Sequence, residues 1–185
     1  MLETLRRSIG MQLARLHFRS SKEKIISFRQ SVASAHSALV ILPLASSSGE
    51  EEVSLLAPLR THFSERNITV LASGPPQQIE RALPRATVLR ITSADITAFF
   101  LPRHGVIDRV REHTYDVAVD LNLDFMLPSA YICRESNARV RVGLAGPHAD
   151  AFFNFQVRLD SAVQHGHAYE RLLKCFQMFF PAEGA

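Results

Sequence analysis

The sequence predicts an α/β protein with a Rossmann-like, doubly wound fold, in which a mainly parallel sheet has helices on both faces and an amphipathic helix precedes it. Short apolar runs rich in Val and Ile alternate along the chain with segments of helical spacing. The connections are short, and right-handed crossovers between parallel strands place helices on both faces of the sheet. Residues 115–143 contain a strand, a helix and a second strand, which is the repeating unit of such a sheet.

The N-terminal segment has the pattern of a basic amphipathic helix. Its large apolar residues recur at steps of three and four and form one stripe, made of Leu2, Leu5, Ile9, Leu13 and Leu16. The stripe can pack on the domain or on a second copy, or it can dock on a membrane whose anionic lipids attract arginine, with RNA binding as a further alternative. The predicted docking residues are Leu5, Arg6, Arg7, Ile9, Leu13, Arg15, Leu16 and Arg19.

The pattern of residues 38–91 predicts the first three strands of the sheet and the helices between them. Short apolar runs with β-branched centres predict strands at residues 38–44, 67–72 and 86–91. Segments of helical spacing predict helices at residues 50–65 and 77–83. The serine-rich stretch 27–37 is expected to link the N-terminal helix to the domain, which gives two regions, residues 1–36 and residues 37–185.

Residues 106–180 again alternate between predicted helices and predicted strands. The elements predicted here are a short helix at 106–112, a strand at 116–121, a helix at 125–135, strands at 139–143 and 155–159, and a final helix at 168–180. The runs 38–44 and 116–121 are almost wholly apolar, as strands covered on both faces must be. We therefore expect these two strands at the centre of the sheet.

Composition limits the classes of function. The net charge is +3, and much of the excess lies in residues 1–29, so the rest is close to neutral. A near-neutral body argues against general nucleic-acid binding, which needs basic side chains spread over a surface. Cys133 and Cys175 lie far apart in the sequence and are predicted to be free thiols in a reducing compartment. No apolar run approaches the roughly 20 residues of a membrane span, so we expect a cytoplasmic protein that can be peripheral on the inner membrane face.

Parallel sheets bind ligands at the carboxyl ends of their strands, near the point where the strand order reverses. The candidates are the loops after the first and fourth strands. Ser47, Ser48 and Gly49 permit close approach of a ligand to a helix N-terminus, although capping by Ser48 is an alternative. Asn122 and Asp124 follow the fourth strand and can bind a polar ligand or cap the next helix.

Metal and cofactor motifs are not evident in the sequence. Asp160, His165 and His167 form one local cluster, but it lacks a convincing third and fourth ligand for zinc. There is no glycine-rich dinucleotide or P-loop pattern. We therefore expect neither a metal nor a cofactor.

Residues 115–143, which read YDVAVDLNLDFMLPSAYICRESNARVRVG, resemble the N-terminal half of the heptosyltransferase-like glycosyltransferases, glycosyltransferase family 9 of the GT-B type. The segment SSSGEEEVSLLAPLRTHFSERNITVL is similar to that family's loop and following helix, with Pro58, Leu59, Arg60 and Phe63 in place. Glu50 stands where the family has an aspartate, so the resemblance implies that Glu50 is the general base acting on an acceptor sugar. Residues 167–173 are similar to the end of the half-domain. The chain also resembles a group of short bacterial proteins related to it.

The resemblance leads to two functional hypotheses. In such enzymes the donor nucleotide sugar sits mainly on a C-terminal domain, and this chain ends at Ala185, so we expect that it does not turn over a nucleotide sugar alone. The leading hypothesis is a non-catalytic binding or assembly subunit that docks to a protein complex, a second copy or a membrane surface. The alternative is a partner-dependent glycosyltransferase or an acceptor-sugar-binding module of envelope polysaccharide synthesis.

Overall fold

A computed structural model describes residues 2–20, 26–44, 56–75, 77–159 and 171. Its centre is a six-stranded, all-parallel sheet whose strands are β1 (Ala38–Ile41), β2 (Ile68–Ala72), β3 (Thr87–Arg90), β4 (Val117–Asp120), β5 (Val140–Leu144) and β6 (Phe155–Val157). The helices are α1 (Leu2–Phe18), α2 (Phe28–Ala33), α3 (Ala57–His62), α4 (Gln77–Ala82), α5 (His104–Arg111) and α6 (Leu127–Glu135). This confirms the predicted fold class.

The strand order is β3-β2-β1-β4-β5-β6, so the chain reverses its direction of winding between β1 and β4. In the register of the sheet, Val40 of β1 lies between Val70 of β2 and Val119 of β4. Every residue of β1 and β4 is buried. The prediction that these two strands are central is confirmed, and their carboxyl ends meet at the position where such sheets bind ligands.

Two apolar cores lie on opposite faces of the sheet. Successive strand residues point to opposite faces, and accordingly Val40 belongs to one core and Leu39 to the other. The first core is covered by α2, α3 and α4 through buried residues such as Val32, Leu59 and Ile79. The second core is covered by α1, α5 and α6. We call these the α4 layer and the α6 layer.

The stretch that was expected to be a linker contains α2, and this differs from the prediction. Val32 of α2 is buried in the α4 layer. The ring of Phe28 stacks on that of Phe155 with 3.7 Å between the centroids. A helix of six residues with one buried aliphatic side chain leaves too little periodicity to be recognised in a serine-rich sequence. The domain boundary at residue 37 stays a prediction.

Two other predicted elements lie partly outside the described residues. Of the predicted helix at 50–65, the structure describes the part from residue 56, where α3 lies. Of the predicted helix at 168–180, only residue 171 is described.

Candidate functional site

The reversal between β1 and β4 brings the backbone after β1 next to the polar side chains at the end of β4. Asn122, two residues after the end of β4, accepts a hydrogen bond at Oδ1 from the backbone N–H of Leu44, 3.0 Å away. Asp120 at the end of β4 accepts at Oδ1 from the backbone N–H of Asn122 at 3.0 Å and from its amide Nδ2 at 2.6 Å. Asp120 and Asn122 are both buried. This chain of bonds fixes the two strand ends relative to each other.

Burial is the main influence on the carboxyl group of Asp120. It raises the pKa of Asp120 to about 6, although hydrogen bonds from Asn122 and Ser129 favour the ionised form and oppose the shift. The register explains the burial, because Asp120 pairs with Ile41 in the middle of the sheet. Asp120 can therefore hold or release a proton near neutral pH at the edge of a cavity.

That cavity lies between the loops that follow β4 and β5 and has a volume of about 210 Å³. Asp120, Asn122 and Asp124 form its polar side, and Phe125 and Phe153 contribute aromatic walls. No lysine or arginine lines it among the described residues. Carboxylates and an amide beside aromatic rings suit a small ligand with hydroxyl or cationic groups better than a phosphate.

Gly143 of β5 explains the position of one aromatic wall. A Cβ atom at Gly143 would lie 2.5 Å from the Cε2 atom of Phe153, so any other residue here would force the ring to shift. The glycine thus lets the Phe153 ring lie directly against the strand. The cavity wall depends on this contact.

Two of the predicted ligand-binding residues, Asn122 and Asp124, line this cavity. The others, Ser47, Ser48 and Gly49, and the predicted base Glu50, lie in residues 45–55, outside the described residues. Phe153 and the stretch 144–147 also line the cavity, although neither was predicted as part of the site. The signal for 144–147 was its place at the end of β5, since parallel strands end at the same edge of a sheet, whereas Phe153 precedes β6 and had no such signal.

The second candidate surface is the outer face of α1. The buried residues of this helix are Gly10, Met11 and Ala14, which lie on the side opposite to the apolar stripe. The five stripe residues Leu2, Leu5, Ile9, Leu13 and Leu16 are between 38% and 63% exposed. The stripe is therefore not the face that packs on the described part of the domain, because the helix makes that contact through Gly10, Met11 and Ala14.

Gly10 shows why the face of α1 with Gly10, Met11 and Ala14 is the one that packs on the domain. A Cβ atom at Gly10 would lie 1.9 Å from the backbone oxygen of Phe99 and 3.2 Å from a methyl group of Leu127. Only glycine permits this approach of the helix to the domain. A face made of leucines would hold the helix farther away.

Polar and aromatic contacts fix the C-terminal end of α1 to α6. The ring nitrogen Nε2 of His17 lies 2.7 Å from Oε1 of the buried Glu135, which also binds Arg111. The ring of Phe18 packs against that of Tyr131 with 4.9 Å between centroids. Burial, assisted by the nearby Glu135, raises the pKa of Tyr131 to about 12. These contacts set the rotation of α1, so its stripe faces away from the domain.

The predicted docking arginines fall into two pairs. Arg7 and Arg15 turn towards the domain, where Arg7 lies 5.0 Å from the centre of the Phe100 ring and Arg15 donates to Nδ1 of His148 at 2.7 Å. Arg6 follows Leu2 by four residues along the helix, and Arg19 lies in the turn after α1 with its N–H bonded to the oxygen of Leu16, so each borders one end of the stripe. The outer surface of α1 is therefore apolar along its middle and basic at its margins.

Comparisons of this chain with protein-family models, with curated proteins and with solved structures gave no match. The resemblance to the glycosyltransferase half-domain stays a prediction. Across the described parts of the chain, no helix is both long enough and apolar enough to cross a bilayer.

Proposed function

We propose that the protein is a non-catalytic binding or assembly subunit that attaches to a larger structure in the cytoplasm through the outer face of α1. The observation that carries the proposal is the orientation of this helix. Gly10, Met11 and Ala14 pack on the domain, and the five large apolar side chains of the stripe point outward. A helix held in this way presents an apolar surface at a fixed position.

Covering the exposed stripe would contribute a large favourable free energy. Fully burying one Leu or Ile side chain contributes roughly 1.5–3 kcal/mol, and monomeric proteins rarely expose such residues as a contiguous patch. In the described part of the chain, the exposed large apolar residues are the five of the stripe and Phe99. Phe99 adjoins the helix, because its backbone oxygen faces Gly10. Exposed apolar area is thus concentrated at one place, as in a docking surface.

The Rossmann-like domain supports the proposal as a scaffold. The resemblance of residues 115–143 to a glycosyltransferase half-domain suggests its origin, while a fold of this type hosts many functions and does not select one. The body positions α1, and α1 makes the attachment.

A pair of full-length variants tests the attachment. In Leu5→Glu/Leu16→Glu the two changed residues are exposed and glutamate is a good helix former, so the fold should persist. We expect wild type to sediment with particulate material of a native cell extract and this variant to stay in the supernatant. The matched control is Gln77→Glu/Gln78→Glu on α4, which adds the same charge on the opposite layer. Equal sedimentation of the two variants would contradict the proposal.

The cavity after β4 and β5 favours a second candidate function, an acceptor-sugar-binding module or a partner-dependent glycosyltransferase. Asn122 and Asp124 offer acceptors for hydroxyl groups, and Phe125 and Phe153 offer faces on which a sugar ring can stack. Titration of the labelled protein with neutral monosaccharides should shift amide NMR signals of residues 122–125 and 144–147. Asp124→Asn, a change at an exposed position, should weaken the effect. Shifts elsewhere only, or none, would exclude this candidate.

A further inference from the structure

We infer that the surface bound by α1 is an anionic lipid bilayer, with the helix lying in the plane of the membrane interface. The inference rests on the proposed function and names its partner. Its starting point is the arrangement of charge around the stripe. Residues 2–20 contain four arginines, Arg6, Arg7, Arg15 and Arg19, and a single acidic residue, Glu3.

The acidic residue does not offset the arginines that border the stripe. Glu3 bonds to Arg7 with 3.5 Å between Oε1 and Nη2, one turn along the helix and off the stripe. Arg6 and Arg19 form no ion pair among the described residues. Two basic groups therefore flank an apolar strip, which complements a surface with anionic headgroups outside and hydrocarbon beneath.

The shape of the surface also fits a bilayer. The stripe runs from Leu2 to Leu16, nearly the whole length of α1, on the side that faces away from the sheet. A helix that is fixed by its inner face can enter an interface only side-on, with its leucines in the acyl region and its arginines at headgroup level. Phe99 adds one aromatic side chain beside the helix, 40% exposed.

A second copy of the chain fits the same surface less well. Two stripes packed face to face would bring basic margins together, and α1 has no acidic side chain at those margins to compensate. Anionic lipid supplies the charge that a second copy lacks. The charge pattern therefore favours the bilayer over self-association.

Vesicle sedimentation with the full-length protein tests the inference. The probes are vesicles of phosphatidylcholine alone and of phosphatidylcholine mixed with phosphatidylglycerol. We expect binding to the mixed vesicles that falls with added NaCl, because attraction between charges at the surface is screened. Arg6→Gln/Arg19→Gln should weaken this binding about tenfold or more, since each basic residue near the surface contributes to it. Leu5→Glu/Leu16→Glu should abolish it.

The matched control for charge is Arg81→Gln/Arg85→Gln, which removes two exposed arginines from the α4 layer and its following loop. It should bind mixed vesicles as wild type does. Equal weakening by the two double arginine variants would overturn the inference, because the effect would then belong to net charge. Absence of wild-type binding to mixed vesicles would overturn it as well.

The outcomes separate this inference from the proposed function. Wild type can fail to bind vesicles while Leu5→Glu/Leu16→Glu still prevents its sedimentation from cell extract. The partner is then a protein, and only the lipid inference fails. A stripe-dependent dimer in solution, with no vesicle binding, also overturns the lipid inference. If neither vesicles nor extract distinguish wild type from Leu5→Glu/Leu16→Glu, both proposals fail.

Discussion

Helices α1 and α6 lie in the same layer but place their large residues in opposite ways. In α6, eight of the nine residues are buried, from Leu127 to Glu135 with only Tyr131 partly exposed. In α1, the buried residues are Gly10, Met11 and Ala14, and the leucines face outward. Apolar periodicity therefore identifies a stripe, but it does not say whether the stripe faces the core or a partner. In α1 the answer comes from the opposite face, where Gly10 permits close approach to the domain.

Truncation of a large aliphatic residue should affect stability very differently in the two helices. Ile132 of α6 is completely buried, so Ile132→Ala leaves a cavity and should cost about 2–5 kcal/mol of unfolding free energy. Leu13 of α1 is 45% exposed, and Leu13→Ala should change stability by less than about 0.5 kcal/mol. Denaturant titration of both variants measures the difference. Similar losses would mean that the stripe is part of the core.

The second prediction concerns Asp120, a buried ionisable residue that accepts a hydrogen bond from Ser129 of α6. Burial raises the pKa of Asp120 from 3.8 to about 6. The folded protein then binds this proton more tightly than the unfolded chain. The stability that it contributes is fully present below pH 3.8 and is lost as the pH rises through about 6.

We therefore expect the free energy of unfolding to contain a component that falls by on the order of 2–3 kcal/mol between about pH 4 and 7. Asp120→Asn keeps an oxygen that can accept from Asn122 and removes the titration. Subtracting its pH profile, measured by chemical denaturation, from that of wild type should isolate the component. Parallel profiles would show that Asp120 titrates at its ordinary pKa.

Much of the sheet could be predicted from the sequence, because strands covered on both faces consist of short apolar runs. The ends were less predictable. Strand β1 was expected to reach residue 44 and ends at Ile41, although the N–H of Leu42 still bonds to the oxygen of Leu71. Pro43 has no N–H to donate to the ladder, and the N–H of Leu44 bonds to the side chain of Asn122 instead of a neighbouring strand.

The candidate site could be predicted only in part. Asn122 and Asp124 follow a recognisable strand, and the rule for strand ends places them correctly. Phe153 enters the cavity through its contact with Gly143 ten residues earlier, which depends on how the chain returns from β5 to β6. The hydrogen bond between Asn122 and Leu44 joins positions 78 residues apart. Contacts of this kind follow from topology and leave no local pattern.

The smallest expected effect comes from the face on which α1 is attached. At an ordinary helix position Gly→Ala stabilises by about 1 kcal/mol, because alanine loses less backbone freedom on folding. At Gly10 the new Cβ would meet the oxygen of Phe99, which is backbone and cannot turn aside. Overpacking of this kind costs about 1–3 kcal/mol, so Gly10→Ala should reverse the usual sign and destabilise by about 1 kcal/mol.

Ser8→Ala, at an exposed position of the same helix, is the control and should change stability by a few tenths of a kcal/mol at most, about the range of surface changes. Limited proteolysis should also cut Gly10→Ala earlier than the control within residues 2–20. A stabilised Gly10→Ala protein would show that α1 does not pack on the domain at Gly10.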